Sequence, residues 1–102
     1  MEKKLPGEVS RFVRVLKQHL PILAERYKVK YLGVFGSYIR NEQKRTSDLD
    51  LLVEFYETPS LFQYIRFERY LSDLLGVKVD LVMKDALKPA IGKHILKEVV
   101  QV

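Results

Sequence analysis

Apolar positions recur along the first third of the chain at Val9, Phe12, Val13, Leu16 and Leu20, one face of a helix spanning Glu8 to His19. Pro21 predicts a break or kink, because proline removes a helical hydrogen bond and crowds the preceding turn. It also suits the first turn of a second short helix, Pro21 to Tyr27, with Ile22 and Leu23 inward. The period then changes. Val29 to Phe35 is β-branched and aromatic and stops at Gly36, which reads as a strand. Asp48 to Phe55, DLDLLVEF, reads as a second strand buried on both faces in its apolar part. Ser60 is an N-cap for a helix from Leu61 to Leu75, with Leu61, Ile65, Leu71, Leu74 and Leu75 directed to the core. Gly76 ends that helix. Val77 to Met83 is a third strand, placing Lys78, Asp80 and Val82 on one side. A last helix runs from about Pro89 to Glu98, with Ile91, Ile95 and Leu96 forming its apolar side. The apolar Val99-to-Val102 tail is expected to dock on the chain itself or on a partner.

This order of elements predicts an α/β fold with a small mixed sheet of three to four strands packed by helices. The helical crossover between the second and third strands favours a parallel pair, while the polar link between the first and second permits either sense. The 102 residues suit a single domain, 1–102. No cysteine is present, which excludes disulfides and thiolate metal sites. No apolar run is long enough to span a bilayer and no secretory segment opens the chain, so the expected location is cytoplasmic. The net charge of +5 is spread along the sequence. It reads as a solvated basic surface, or as attraction to nucleotide or nucleic-acid phosphates, and no nucleic-acid motif accompanies it. Phe62, Tyr64, Phe67 and Tyr70 give the 61–75 helix more aromatics than one core face needs, which points slightly towards an interface.

Chemistry concentrates between Tyr31 and Phe55. Residues two apart on a strand share a face, roughly 6–7 Å apart, so Asp48 and Asp50 are expected to project together. Paired carboxylates without His or Cys suit a hard cation such as Mg²⁺. Gly36 lets the backbone approach a ligand, and Ser37 adds a hydroxyl at a turn where Tyr38-Ile39-Arg40 should begin one or two helical turns. Arg40 is either a cation for phosphate or a solvated side chain. Asp80 stands in an otherwise apolar strand, explained by a shared cation or by a pairing with Lys78 or Arg40.

Gly36-Ser37, ten residues, then Asp48-Leu49-Asp50, with Asp80 on a later strand, resembles the signature of the polymerase-beta-like nucleotidyltransferases. The short length is similar to minimal members paired with HEPN proteins in toxin–antitoxin operons. Members often carry Gly after the Arg of the turn; Asn41 stands there in this chain, and Asn tolerates left-handed backbone. The resemblance implies a mixed sheet, two Mg²⁺ ions held by Asp48, Asp50 and Asp80, and a nucleotide site at Gly36, Ser37 and Arg40. It implies transfer of AMP from ATP to a hydroxyl, a tyrosine of a HEPN toxin, with this chain as antitoxin. Asp80 would complete the second metal site and help deprotonate the acceptor. The alternative is an antitoxin that neutralises its partner by contact alone.

Overall fold

The computed structural model describes residues 7–102. Its elements are α1 (Gly7–Tyr27), β1 (Val29–Phe35), β2 (Leu49–Phe55), α2 (Leu61–Leu75), β3 (Val79–Met83), a 3-10 turn (Lys84–Ala86), α3 (Pro89–Glu98) and β4 (Val100–Gln101). The four strands form one mixed sheet in the order β3-β2-β1-β4. β1 pairs antiparallel with β2 and β4, and β2 pairs parallel with β3 across the α2 crossover. The expected α/β architecture is therefore present, and the apolar tail docks within the chain, where β4 pairs with β1 and the Val102 N–H donates to Leu32 O at 2.9 Å.

The core lies between one sheet face and helices α1 and α2. Leu32 and Val34 of β1, Leu49, Leu51 and Val53 of β2, and Val79 and Leu81 of β3 meet Phe12, Leu16 and Leu23 of α1 and Phe67, Leu71 and Leu75 of α2. Strand alternation sends Asp50, Leu52 and Asp80 to the opposite face. The site is thus carried on the back of a packed core: shifting β2 by one residue would move its Leu side chains out of the core as well as misplacing Asp50.

Two sequence expectations about helices are corrected. Pro21 does not end the first helix; α1 runs unbroken through it, with Pro21 on the solvent side. Leu16, Leu20 and Leu23 stay in one helical stripe across the proline, so burial on both sides outweighs one missing hydrogen bond. Ile22, expected inward, is exposed.

The phase of α2 also differs. Leu61 and Ile65 face solvent, and the helix buries Phe67, Leu71 and Leu75 with Tyr64, Tyr70 and Leu74 beside them. Aromatic partners elsewhere explain the choice. Phe67 packs on Tyr27 (ring centroids 4.8 Å apart) and Phe55 (5.8 Å), and Tyr70 lies 5.3 Å from Tyr27. Most α2 aromatics therefore belong to the core, and Phe62, at 81% exposure, is the exception. Ser60 and Gln63 form the full capping box, and Gly76 closes the helix in the left-handed region at φ 72°. In α3, Ile91 and Leu96 are exposed rather than core-facing, and the buried residue is Gly92.

β3 is an edge strand, and α2 covers its free polar groups. Glu68 Oε2 accepts from Leu81 N–H at 3.0 Å, Tyr64 donates its hydroxyl to Leu81 O, and Ser72 Oγ accepts from Val79 N–H at 3.0 Å. Side chains from the crossover helix so take the place of a fifth strand.

Candidate active site

β1 ends at Phe35, which lies opposite Asp50 in the antiparallel register. The next residue, Gly36, turns the chain with φ 84°. A Cβ at Gly36 would overlap the Asp50 Oδ2 atom, so this position needs glycine both for its backbone and for the room it leaves the carboxylate. Asp50 in turn lies directly opposite Asp80 in the parallel β2–β3 register. Gly36, Asp50 and Asp80 therefore sit side by side on three consecutive strands or strand ends.

The two carboxylates act on each other. Burial, then the charges of Asp80 and Asp48, then a side-chain hydrogen bond with Asp80 push the Asp50 carboxyl up to about 6, while Arg40 opposes the rise. Close carboxylates without a cation share a proton. Asp48 lies one residue before β2, half-buried, with Lys78 Nζ 4.0 Å from its Oδ2. Asp50 and Asp80 thus meet as a pair, with Asp48 contributing its field from the strand entrance. Among the described residues no three acidic or histidine side chains close around an ion-sized position. Asp80 is exposed, and neither pairing considered for it forms: Lys78 turns to Asp48, and Arg40 to two glutamates.

After Gly36 the chain makes consecutive hydrogen-bonded turns, in keeping with the short helical turn expected there, without extending into a regular helix. Ile39 and Arg40 N–H both donate to Gly36 O (3.0 and 3.2 Å), and Glu42 N–H donates to Ser37 O at 2.8 Å. Tyr38 anchors the turn by packing edge-on against Phe12, ring centroids 5.7 Å apart. Asn41 takes φ 58°, the left-handed backbone that its residue type accommodates. Arg40 bonds Glu42 Oε2 through Nε at 3.2 Å and Glu98 Oε1 through Nη1 at 2.6 Å. The other oxygen of Glu98 accepts from Gly36 N–H at 2.9 Å. Gly36, Ser37 and Arg40 accordingly share one turn beside Asp50.

Glu98 is the residue that reasoning from sequence passed over. A signal was present: a glutamate closing a helix opposes the helix dipole and needs a specific partner. A separate cleft of about 330 Å³, lined by Arg26, Lys28, Arg66 and the aromatic rings of Tyr27, Phe55 and Phe67, lies at the other end of the β1–β2 pair.

The model of the nucleotidyltransferase domain family matches residues 16–102. The chain belongs to this family. Protein adenylyltransferase MntA of Thermococcus cleftensis is 53% identical over 88 residues, covering 86% of this chain and 89% of that protein. A Methanocaldococcus jannaschii relative, provisionally named a protein adenylyltransferase, is 53% identical over 95 residues, covering 92% of this chain and 97% of its own length. A solved structure provisionally described as a minimal nucleotidyltransferase superposes with TM-score 0.74 at 35% identity, over 90% of this chain and 94% of that one. A chain from the complex of tri-AMPylated Shewanella oneidensis HEPN toxin with MNT antitoxin shares the fold, with TM-score 0.58 at 20% identity, over 92% of this chain and 67% of its own. This nucleotidyltransferase domain thus has the mixed sheet that its motif implied.

Proposed function

We propose that this nucleotidyltransferase moves AMP from ATP to a hydroxyl side chain of a protein, acting in the cytoplasm as the antitoxin of a HEPN-type toxin. The observation that carries the reading is the Asp50–Asp80 pair beside the Gly36 turn. Two adjacent carboxylates, one of them held up at about 6 by burial and then by its acidic neighbours, offer a site for a divalent cation, and all their donors are oxygen. Asp48, now beside Lys78, would have to turn towards the pair to add a third oxygen ligand. Mg²⁺, as one or two ions bound by Asp48, Asp50 and Asp80, would neutralise triphosphate charge and stabilise the leaving oxygen. The Ser37 hydroxyl and Arg40 would bind the outer phosphates. The acceptor oxygen attacks the α-phosphorus, its proton passes to Asp80, and the bond to the β-phosphate oxygen breaks to release pyrophosphate. The protein acceptor rests on the names of the relatives at 53% identity, and the tyrosine of a HEPN partner on the motif resemblance. No helix among the described residues is long and apolar enough to cross a membrane, which agrees with this setting.

The test is co-expression with the protein encoded beside it, followed by intact-mass measurement of that neighbour. The expected result is added AMP, lost when Asp48 and Asp50 are both replaced by Asn. An unmodified neighbour, neutralised equally well by the double variant, would mean that the chain acts by contact alone.

A further inference from the structure

Glu98 ends α3 and is followed at once by β4, whose pairing of Val100 with Val34 and Gln101 with Gly33 draws the end of α3 to the outer edge of β1. Its carboxylate meets two donors of the phosphate turn, Gly36 N–H at 2.9 Å and Arg40 Nη1 at 2.6 Å. The Glu98 side chain is 13% exposed, against 44% for Arg40, so the acid is the fixed partner and the guanidinium is the one held. Burial pushes the Glu98 carboxyl up, but the Gly36 N–H bond, then Arg40, with His94 nearby, outweigh it and hold the carboxyl below its usual range. The Gly36 peptide is held on both sides, its N–H by Glu98 and its C=O by the N–H groups of Ile39 and Arg40.

A carboxylate on an anion-binding turn has two opposite readings. As a brake it would occupy the donors that a phosphate needs. As a brace it would fix the turn and leave other donors open. Arg40 carries five N–H bonds, and among the described residues its contacts engage Nε and Nη1, leaving the Nη2 edge for a ligand. Glu98 also sits at a helix C-terminus, which disfavours a negative charge unless that charge is strongly bound, as it is here.

We infer that Glu98 is a positioning residue for triphosphate binding, which acts through Gly36 and Arg40 and touches no substrate itself. The inference rests on the nucleotidyl-transfer reading. One carboxylate from the far end of the chain ties the first residue of the turn to its arginine, so the two move as a unit. Because β4 holds Glu98 in place, the C-terminal strand becomes part of the phosphate site.

The experiment is titration of Mg-ATP into wild type, Glu98→Gln, Glu98→Asp, Arg40→Ala and the Arg40→Ala/Glu98→Gln double variant, with thermal melting of each. Gln keeps the shape but offers one acceptor where two are needed, so affinity should fall roughly tenfold. Asp keeps the charge and should recover part of it. In the Arg40→Ala background the Glu98→Gln effect should shrink to less than about threefold, the non-additivity expected of residues that act together. Wild-type affinity in both Glu98 variants, or tighter binding as a brake would give, overturns the inference. If Glu98→Gln does not fold, Glu98→Asp decides by the same criterion. A wild-type protein that binds no Mg-ATP overturns the nucleotidyl-transfer reading beneath it, an outcome distinct from variants that match a binding wild type.

Discussion

Asp50 and Asp80 stand directly opposite each other across the parallel β2–β3 pair, and the carboxyl of Asp50 is held up at about 6 by burial and by its neighbours. The sign of the consequence is set by the direction of the shift. Below pH 3.8 Asp50 is protonated in folded and unfolded chains alike and its favourable contribution is complete; as pH rises through about 6 that contribution is lost. Asp50→Asn, which cannot ionise, should therefore be more stable than wild type at pH 8 without metal, by about 1 kcal/mol once solvent screening is allowed for. The two should converge near pH 4. Melting curves across this range check it, and wild type more stable than the variant at pH 8 would mean that the Asp50 carboxyl is not held up.

Divalent cation should reverse that instability. Adding Mg²⁺ at pH 8 should raise the melting temperature of wild type and leave Asp50→Asn nearly unchanged, because only the native carboxylate pair gains a ligand. A similar rise in both proteins would place the cation elsewhere.

Gly36 and Gly76 share left-handed backbone but not surroundings. At Gly76 an added Cβ meets nothing within 4 Å, whereas at Gly36 it would strike the Asp50 carboxylate. Gly76→Ala should cost about 1–2 kcal/mol, the backbone term alone. Gly36→Ala should cost more than that and also weaken ATP binding, which Gly76→Ala should not. Denaturant unfolding with nucleotide titration separates the two effects, and equal losses would show that Gly36 is only a turn residue.

Among the described residues the Ser37 hydroxyl makes no hydrogen bond to another protein group. Ser37→Ala should accordingly leave stability within about 0.5 kcal/mol of wild type. It should weaken ATP binding by about 1–3 kcal/mol if the hydroxyl meets charged phosphate. Unchanged affinity would remove Ser37 from the nucleotide site.

Glu68 bonds the N–H of Leu81, the neighbour of Asp80. Glu68→Ala should leave that amide unpaired, cost about 1–3 kcal/mol and speed hydrogen exchange at Leu81. If exchange there is unaffected, the strand edge does not depend on this contact.

Local signals were strong where neighbours in sequence are also neighbours in space. β1 and both ends of α2 could be read from short runs, because turn residues and strand periodicity act over a few positions, whereas Asp80 joins Asp50 only through the parallel β2–β3 pairing. The phase of α2 could not, since it depends on Tyr27 and Phe55, far away in the chain. At Pro21 the local signal for a break is outweighed by the continuous Leu16–Leu23 stripe, so α1 continues through it. Glu98 lies 62 residues from Gly36, and only the return of β4 to β1 brings them together.

The shape of the sheet restricts how anything can assemble with it. On the β3 side, Leu81 and Val79 already give their outward polar groups to Tyr64, Glu68 and Ser72; on the other, β4 offers only two residues. At the β3 margin a visiting strand finds the Leu81 N–H and C=O and the Val79 N–H already engaged, so strand addition is disfavoured there. Recognition at that margin falls to side chains, and its specificity can change without disturbing the sheet that carries the carboxylates.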